Sequence, residues 1–160
     1  MTSQLAQWLT AQGFGTPGVN SAGADGLTPL LRAAAEANVP ILREIIAEGA
    51  DLDATTRDGN NAIWLACKHD AVEAIEALSA AGANVHHRNP DGSTALIYAA
   101  SAGKPAVVAL LLALGADPLQ ENVDGFSALE LAANIECLQL LRAAARHRRD
   151  QLKVEGWLET

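Results

Sequence analysis

Asp91-Gly92-Ser93-Thr94-Ala95-Leu96 is one of four copies of a short block that returns every 33 residues. The others are Asp25-Gly26-Leu27-Thr28-Pro29-Leu30, Asp58-Gly59-Asn60-Asn61-Ala62-Ile63 and Asp124-Gly125-Phe126-Ser127-Ala128-Leu129. A second marker keeps the same step: Gly49-Ala50, Gly82-Ala83 and Gly115-Ala116. Two markers in one register argue against chance, and self-similarity at this period predicts stacked helical hairpins, an all-α solenoid. Such an array offers an extended binding surface rather than a closed catalytic pocket.

Each block reads as a turn followed by a helix start. Thr28, Asn61, Thr94 and Ser127 share one position, and each side-chain oxygen suits an N-cap. Pro29 follows at N1, where its missing N–H costs nothing. The first helices carry Leu30-Arg32-Ala33-Ala34, Ile63-Leu65-Ala66-Cys67, Leu96-Tyr98-Ala99-Ala100 and Leu129-Leu131-Ala132-Ala133. Their paired small residues allow close approach of the helix behind. The second helices are more apolar: Ile41-Leu42-Ile45-Ile46, Ile75-Leu78 and Val107-Val108-Leu111-Leu112, at the three-and-four spacing of one helical face. Gly49, Gly82 and Gly115 end them at C′, where a positive φ is usual. The Asp-Gly pairs then turn the chain back.

These units resemble ankyrin repeats. Asp25-Gly26-Leu27-Thr28-Pro29-Leu30 through Gly49-Ala50-Asp51-Leu52-Asp53-Ala54 follows the family pattern almost in full, the second and third units follow it with substitutions, and the fourth is shortened by three residues between its helices. The resemblance implies L-shaped units whose turn tips and first helices line a concave surface. It also exposes a consistent departure. The family's T-P-L-H histidine is replaced by Leu31, Trp64, Ile97 and Glu130, so apolar contacts should take over there and the turns should be less rigid. More narrowly, Asp58-Gly59-Asn60-Asn61-Ala62-Ile63-Trp64-Leu65-Ala66-Cys67, Tyr98-Ala99-Ala100-Ser101-Ala102-Gly103-Lys104 and the stretch from Asp124-Gly125-Phe126-Ser127 to Ile135-Glu136-Cys137-Leu138 resemble short bacterial ankyrin proteins of nitrogen-fixing organisms, which implies a nitrogenase-related partner.

The expected organisation is a capping helix and loop over 1–24, repeats over 25–57, 58–90 and 91–123, a shortened repeat over 124–145 and a basic helical extension over 146–160. Residues 3–12 read as a lone amphipathic helix with Leu5, Trp8 and Leu9 on one face, and the stretch from Phe14 to Gly18 holds about three extra residues. At the other end a helix from Ile135 should run to Gly156, about two turns longer than the inner helices. Its late Arg142, Arg146, Arg148, Arg149 and Lys153 favour the negative end of the helix dipole. Two readings stay open for it, a solubilising cap or a docking element for an acidic partner with Trp157-Leu158 as an apolar anchor.

The 160 residues are 49% hydrophobic, enough for an ordered core, but only 4% aromatic. A net charge of −8 argues against non-specific nucleic-acid binding. The balance is uneven: residues 1–141 hold 6 Lys/Arg against 16 Asp/Glu, giving −10, and residues 142–160 hold 5 against 3, giving +2. No apolar run is long enough to span a bilayer and the start lacks a basic leader, so the chain reads as cytoplasmic, without membrane contact. Cys67 and Cys137 fall in different repeats, too far apart for a disulfide, which fits a reducing compartment.

No catalytic constellation appears. His69, His86, His87 and His147 lack metal-ligand spacing, no phosphate loop is present, and the carboxylates sit in turns or on outer faces. No cofactor, metal or enzymatic activity is expected. What remains is recognition of another protein by a chain that is monomeric alone, with a redox or metal chaperone using Cys and His side chains as the alternative. Mapping the family's concave positions gives Arg57, Asn60, Arg88 and Phe126 at turn tips, with Val123 beside them. It gives Arg32, Trp64, Lys68, His69 and Tyr98 on first helices, with Asn134 on the fourth. Trp, Tyr and Arg are the commonest interface hot spots.

Overall fold

The computed structural model describes residues 1–15 and 18–157, so Thr16, Pro17 and Leu158, on which two of the expectations above fall, lie outside it. Among the described residues the regular elements are helices α1 (Ser3–Ala11), α2 (Pro29–Ala35), α3 (Val39–Ala47), α4 (Ala62–Lys68), α5 (Val72–Ala80), α6 (Ala95–Ser101), α7 (Pro105–Ala113) and α8 (Ile135–Val154). They belong to two compact units, Met1–His87 and Arg88–Thr160.

In the first unit α2 packs on α3 and α4, α4 and α3 pack on α5, and α1 packs on α3. Thr28 and Asn61 cap α2 and α4 by accepting from the Leu31 and Trp64 N–H groups. Both second-helix ends close as Schellman turns. The Ala50 N–H donates to the Ile45 carbonyl and Gly49 holds φ +85°; Ala83 donates to Leu78 with Gly82 at +101°. Between the helices Leu30, Leu31, Ile41, Leu42, Ile45, Ile63, Ile75 and Leu78 are fully buried, each contributing about 1.5–3 kcal/mol. Ala33, Ala34, Ala66 and Cys67 are equally buried and keep the helices close. Leu5 and Leu9 bury the inner face of α1, while Trp8 is half-buried and stacks on Phe14 with ring centroids 6.0 Å apart. The Thr2 hydroxyl donates to Glu44, and the terminal amine pairs with Glu48.

In the second unit α6 packs on α7 and α7 on α8, over a core of Leu96, Ala99, Ala100, Val107, Val108, Leu111, Cys137 and Leu141. Here the fourth repeat corrects the sequence reading. No first helix forms over Leu129-Leu131-Ala132-Ala133; residues 128–131 make a turn, with one helical bond from the Leu131 N–H to the Ser127 carbonyl at 3.3 Å. The reason is length. Ten residues separate Thr28 from Asn38, Asn61 from Ala71 and Thr94 from Lys104, the caps of successive helices, but only seven separate Ser127 from Asn134. Three lost residues are most of a helical turn. Ala133 is left exposed, and Asn134 becomes the N-cap of α8 instead of a concave side chain.

Helix α8 has 20 residues against 9 in α3, α5 and α7, an excess of about three turns rather than two. It stops where the sequence predicts, with Gly156 at φ +79° and the Trp157 N–H on the Leu152 carbonyl. Its last buried residue is Ala145.

Glu130, standing where the family has histidine, takes over the Ser127 end of this turn. One carboxylate oxygen accepts the Ser127 N–H at 2.6 Å and its hydroxyl at 2.8 Å, half of a capping box. Those two bonds hold its carboxyl below the usual glutamate value, the backbone N–H contributing most. A carboxyl lowered on folding gives stability that is complete above its unfolded value of about 4.3 and is lost as pH falls through the folded value. Glu130→Gln is therefore expected to flatten the acid limb of the stability curve below that pH, read by urea melts across a pH series. An unchanged limb would remove Glu130 from the acid response.

Candidate partner-binding surface

The Asp-Gly corners are built alike. The N–H groups of Gly23, Thr56, Asn89 and Asn122 donate to the carbonyls of Leu27, Asn60, Ser93 and Phe126 at 2.8, 2.9, 3.1 and 3.0 Å. Within each corner the glycine N–H returns to the first of those residues, at 2.9, 2.9, 2.8 and 3.1 Å for Gly26, Gly59, Gly92 and Gly125. Asn89 Oδ1 also accepts from Asp91 and Ser93, and Asn122 Oδ1 from Asp124 and Phe126. This asparagine position, also on the 33-residue step, is a signal the sequence reading passed over.

Looser turns were expected without the family histidine, but other side chains tie them. In the first unit His87 Nε2 lies 2.6 Å from the Gly59 carbonyl, and the Asn61 amide donates to Asn84 at 3.0 Å. In the second, Arg88 donates to the Gly92 and Glu121 carbonyls, both at 3.1 Å, and the Val123 N–H reaches Asp91 at 3.0 Å. Gly92 permits this approach, because a Cβ there would stand 3.0 Å from the Val123 nitrogen.

On this frame the expected contact residues divide. In the first unit Arg57, Lys68 and His69 are exposed. The Arg57 guanidinium lies over Gly26, 3.2 Å from where a Cβ would stand. Arg32 pairs with Asp25, its Nε buried without a partner among the described residues. Asn60 is half-buried. Trp64 is only 8% exposed. It belongs with Leu31 at 0% and Ile97 at 3%, three apolar side chains filling the histidine position. The apolar replacement expected there is thus present, and the indole's place is inside. In the second unit Tyr98 is half-buried, Arg88 is exposed but engaged as above, and Phe126 and Val123 are 48% and 67% exposed at one turn tip.

Among the described residues no three His, Cys, Asp or Glu side chains are grouped to hold a metal ion, and no helix is long and apolar enough to cross a membrane. Cys67 and Cys137 are both fully buried thiols, and burial pushes that of Cys137 up.

Helical hairpins repeated on a fixed step define a helical-repeat protein. The family model for ankyrin repeats (three copies) matches residues 2–89 and 71–150, and the chain belongs to that family. Ankyrin repeats are, in general, protein–protein interaction modules. No curated protein matches the chain.

Proposed function

We propose that this chain is a small non-enzymatic adaptor or regulator of the cytoplasm that binds one partner protein through its turn tips and first helices. Membership of the ankyrin family carries the reading. It is supported by the cations Arg57 and Lys68, exposed with the neighbouring His69 on a chain of net charge −8, and by the apolar tip at Val123 and Phe126. The chain works without metal or cofactor, and neither nucleic acid nor membrane is its target. A redox or metal chaperone is disfavoured because a thiol acts as an exposed thiolate, and both thiols here are buried. A nitrogenase-related partner rests on the narrower sequence resemblance alone.

The test begins with capture of the partner from the native organism and its identification by mass spectrometry. Arg57→Ala and Tyr98→Ala are each expected to weaken that complex roughly fivefold to thirtyfold, about 1–2 kcal/mol, with helical circular dichroism retained. Unchanged affinity in both variants would place the contact elsewhere.

A further inference from the structure

Beyond Ala145, α8 continues for nine residues without burying any of them. Core packing does not account for that length. The segment's charge, however, is ordered. Arg142, Arg146, Arg149 and Lys153 follow at steps of four, three and four, so they share one face over roughly 16 Å of helix. All four are exposed. With Leu129, Ala145 and Asp150 they line an open groove of about 300 Å³. Asp150 is the one carboxylate among the lining residues, and Glu130, outside the lining, feels the charge of Arg149, so the four cations leave the groove net positive over an apolar floor. The short turn of the fourth repeat creates that floor by leaving Leu129 half-buried.

We propose that this groove docks an acidic helical segment of a partner protein, with carboxylates at the same four-three-four steps and an apolar side chain against Leu129. None of the residues lining it belongs to the contact set proposed above. Neighbouring cations on the stripe are separated along the axis by about 6, 4.5 and 6 Å, the rise of a facing helix. An extended peptide instead repeats one face at roughly 6.6–6.8 Å. The four-three-four pattern reads the same in both directions, so either orientation matches. Charge excludes larger polyanions as the better occupant. The rest of the same unit, residues 88–141, holds 2 Lys/Arg against 6 Asp/Glu, giving −4, which repels a duplex or an anionic bilayer extending past the stripe, whereas a short segment confined to the groove meets a lining that is net positive. Phosphate backbones also offer nothing to Leu129. Trp157, 78% exposed just past the helix, supplies an aromatic rim of the kind that anchors protein contacts.

The probe is a synthetic helical peptide with glutamates at four-three-four steps and one leucine, titrated into the full chain by fluorescence anisotropy. Saturable binding that weakens as salt rises from 50 to about 200 mM is expected, since exposed charges are screened over about a Debye length. The triple variant R146Q/R149Q/K153Q should bind at least tenfold more weakly, the combined effect of three exposed ion pairs, with unchanged circular dichroism. A peptide with glutamine for every glutamate should not bind. Arg57→Ala should bind the probe as the parent chain does, which separates this surface from the one proposed above. No saturable binding, equal affinity of the triple variant, or equal affinity of the glutamine peptide would each overturn the proposal. So would tighter binding of a 16-base-pair duplex or of phosphatidylserine vesicles, which would hand the stripe to a different occupant.

Discussion

Trp64→Ala is expected to lower the unfolding free energy by about 3–5 kcal/mol, the cost of deleting a large aromatic from a packed interior. The indole is 8% exposed and sits between Ile63 and Leu65, at 0% and 6%. The Trp64 backbone N–H donates to Asn61 Oδ1 at 3.1 Å, and the Asn61 amide in turn donates to the Asn84 carbonyl. Alanine keeps that backbone bond and loses the indole from a nearly buried position, so the cost is that of lost burial and the space left behind. Urea denaturation followed by circular dichroism should show the midpoint falling at an unchanged slope. Arg57→Ala, at an exposed turn, should move it by no more than about 0.5 kcal/mol. A Trp64→Ala chain as stable as the parent would return the indole to the surface and to the contact set.

Gly103→Ala should cost the second unit about 2–3 kcal/mol, from two sources that can be separated. Gly103 holds φ +69°, and a side chain in that conformation costs about 1–2 kcal/mol. A Cβ would also stand 2.9 Å from Asn134 Nδ2, the amide that donates to the Gly103 carbonyl at 3.0 Å. The same asparagine caps α8 through Cys137, so displacing it forfeits a cap of about 1 kcal/mol. Ala37 and Asp70 end α2 and α4 at φ +53° and +52° without glycine, so the backbone alone tolerates a side chain at this place in a hairpin. The excess belongs to Asn134. A loss below about 1 kcal/mol would show that the amide moves aside without penalty.

What the sequence revealed was whatever is decided within a few residues. Thr28, Asn61 and Thr94 cap their helices, and Gly49, Gly82 and Gly115 close them, because these contacts span two to five positions and repeat with the chain. The missing helix of the fourth repeat was also legible, by counting seven residues between caps instead of ten. So was Ser127-Ala128-Leu129-Glu130, which has the S-x-x-E form of a capping box. Depth was not legible. Trp64 and Arg57 looked equally fit for contact, and only the packing of α4 against α2 and α5 separates them. His87 and Arg88, adjacent in sequence, proved to tie different turns, a matter of partners 28 and 33 residues away.

The corners that set the repeat also bear on how this protein ages. Among aspartyl dipeptides Asp-Gly is the one most prone to cyclise to succinimide and reopen as isoaspartate, because glycine leaves its nitrogen unhindered for attack on the aspartyl carboxyl. In all four corners that nitrogen is fixed instead, its hydrogen held by a carbonyl three residues earlier. Folding thus shields the chain at all four of these sites at once, and a molecule that lingers unfolded exposes all of them together.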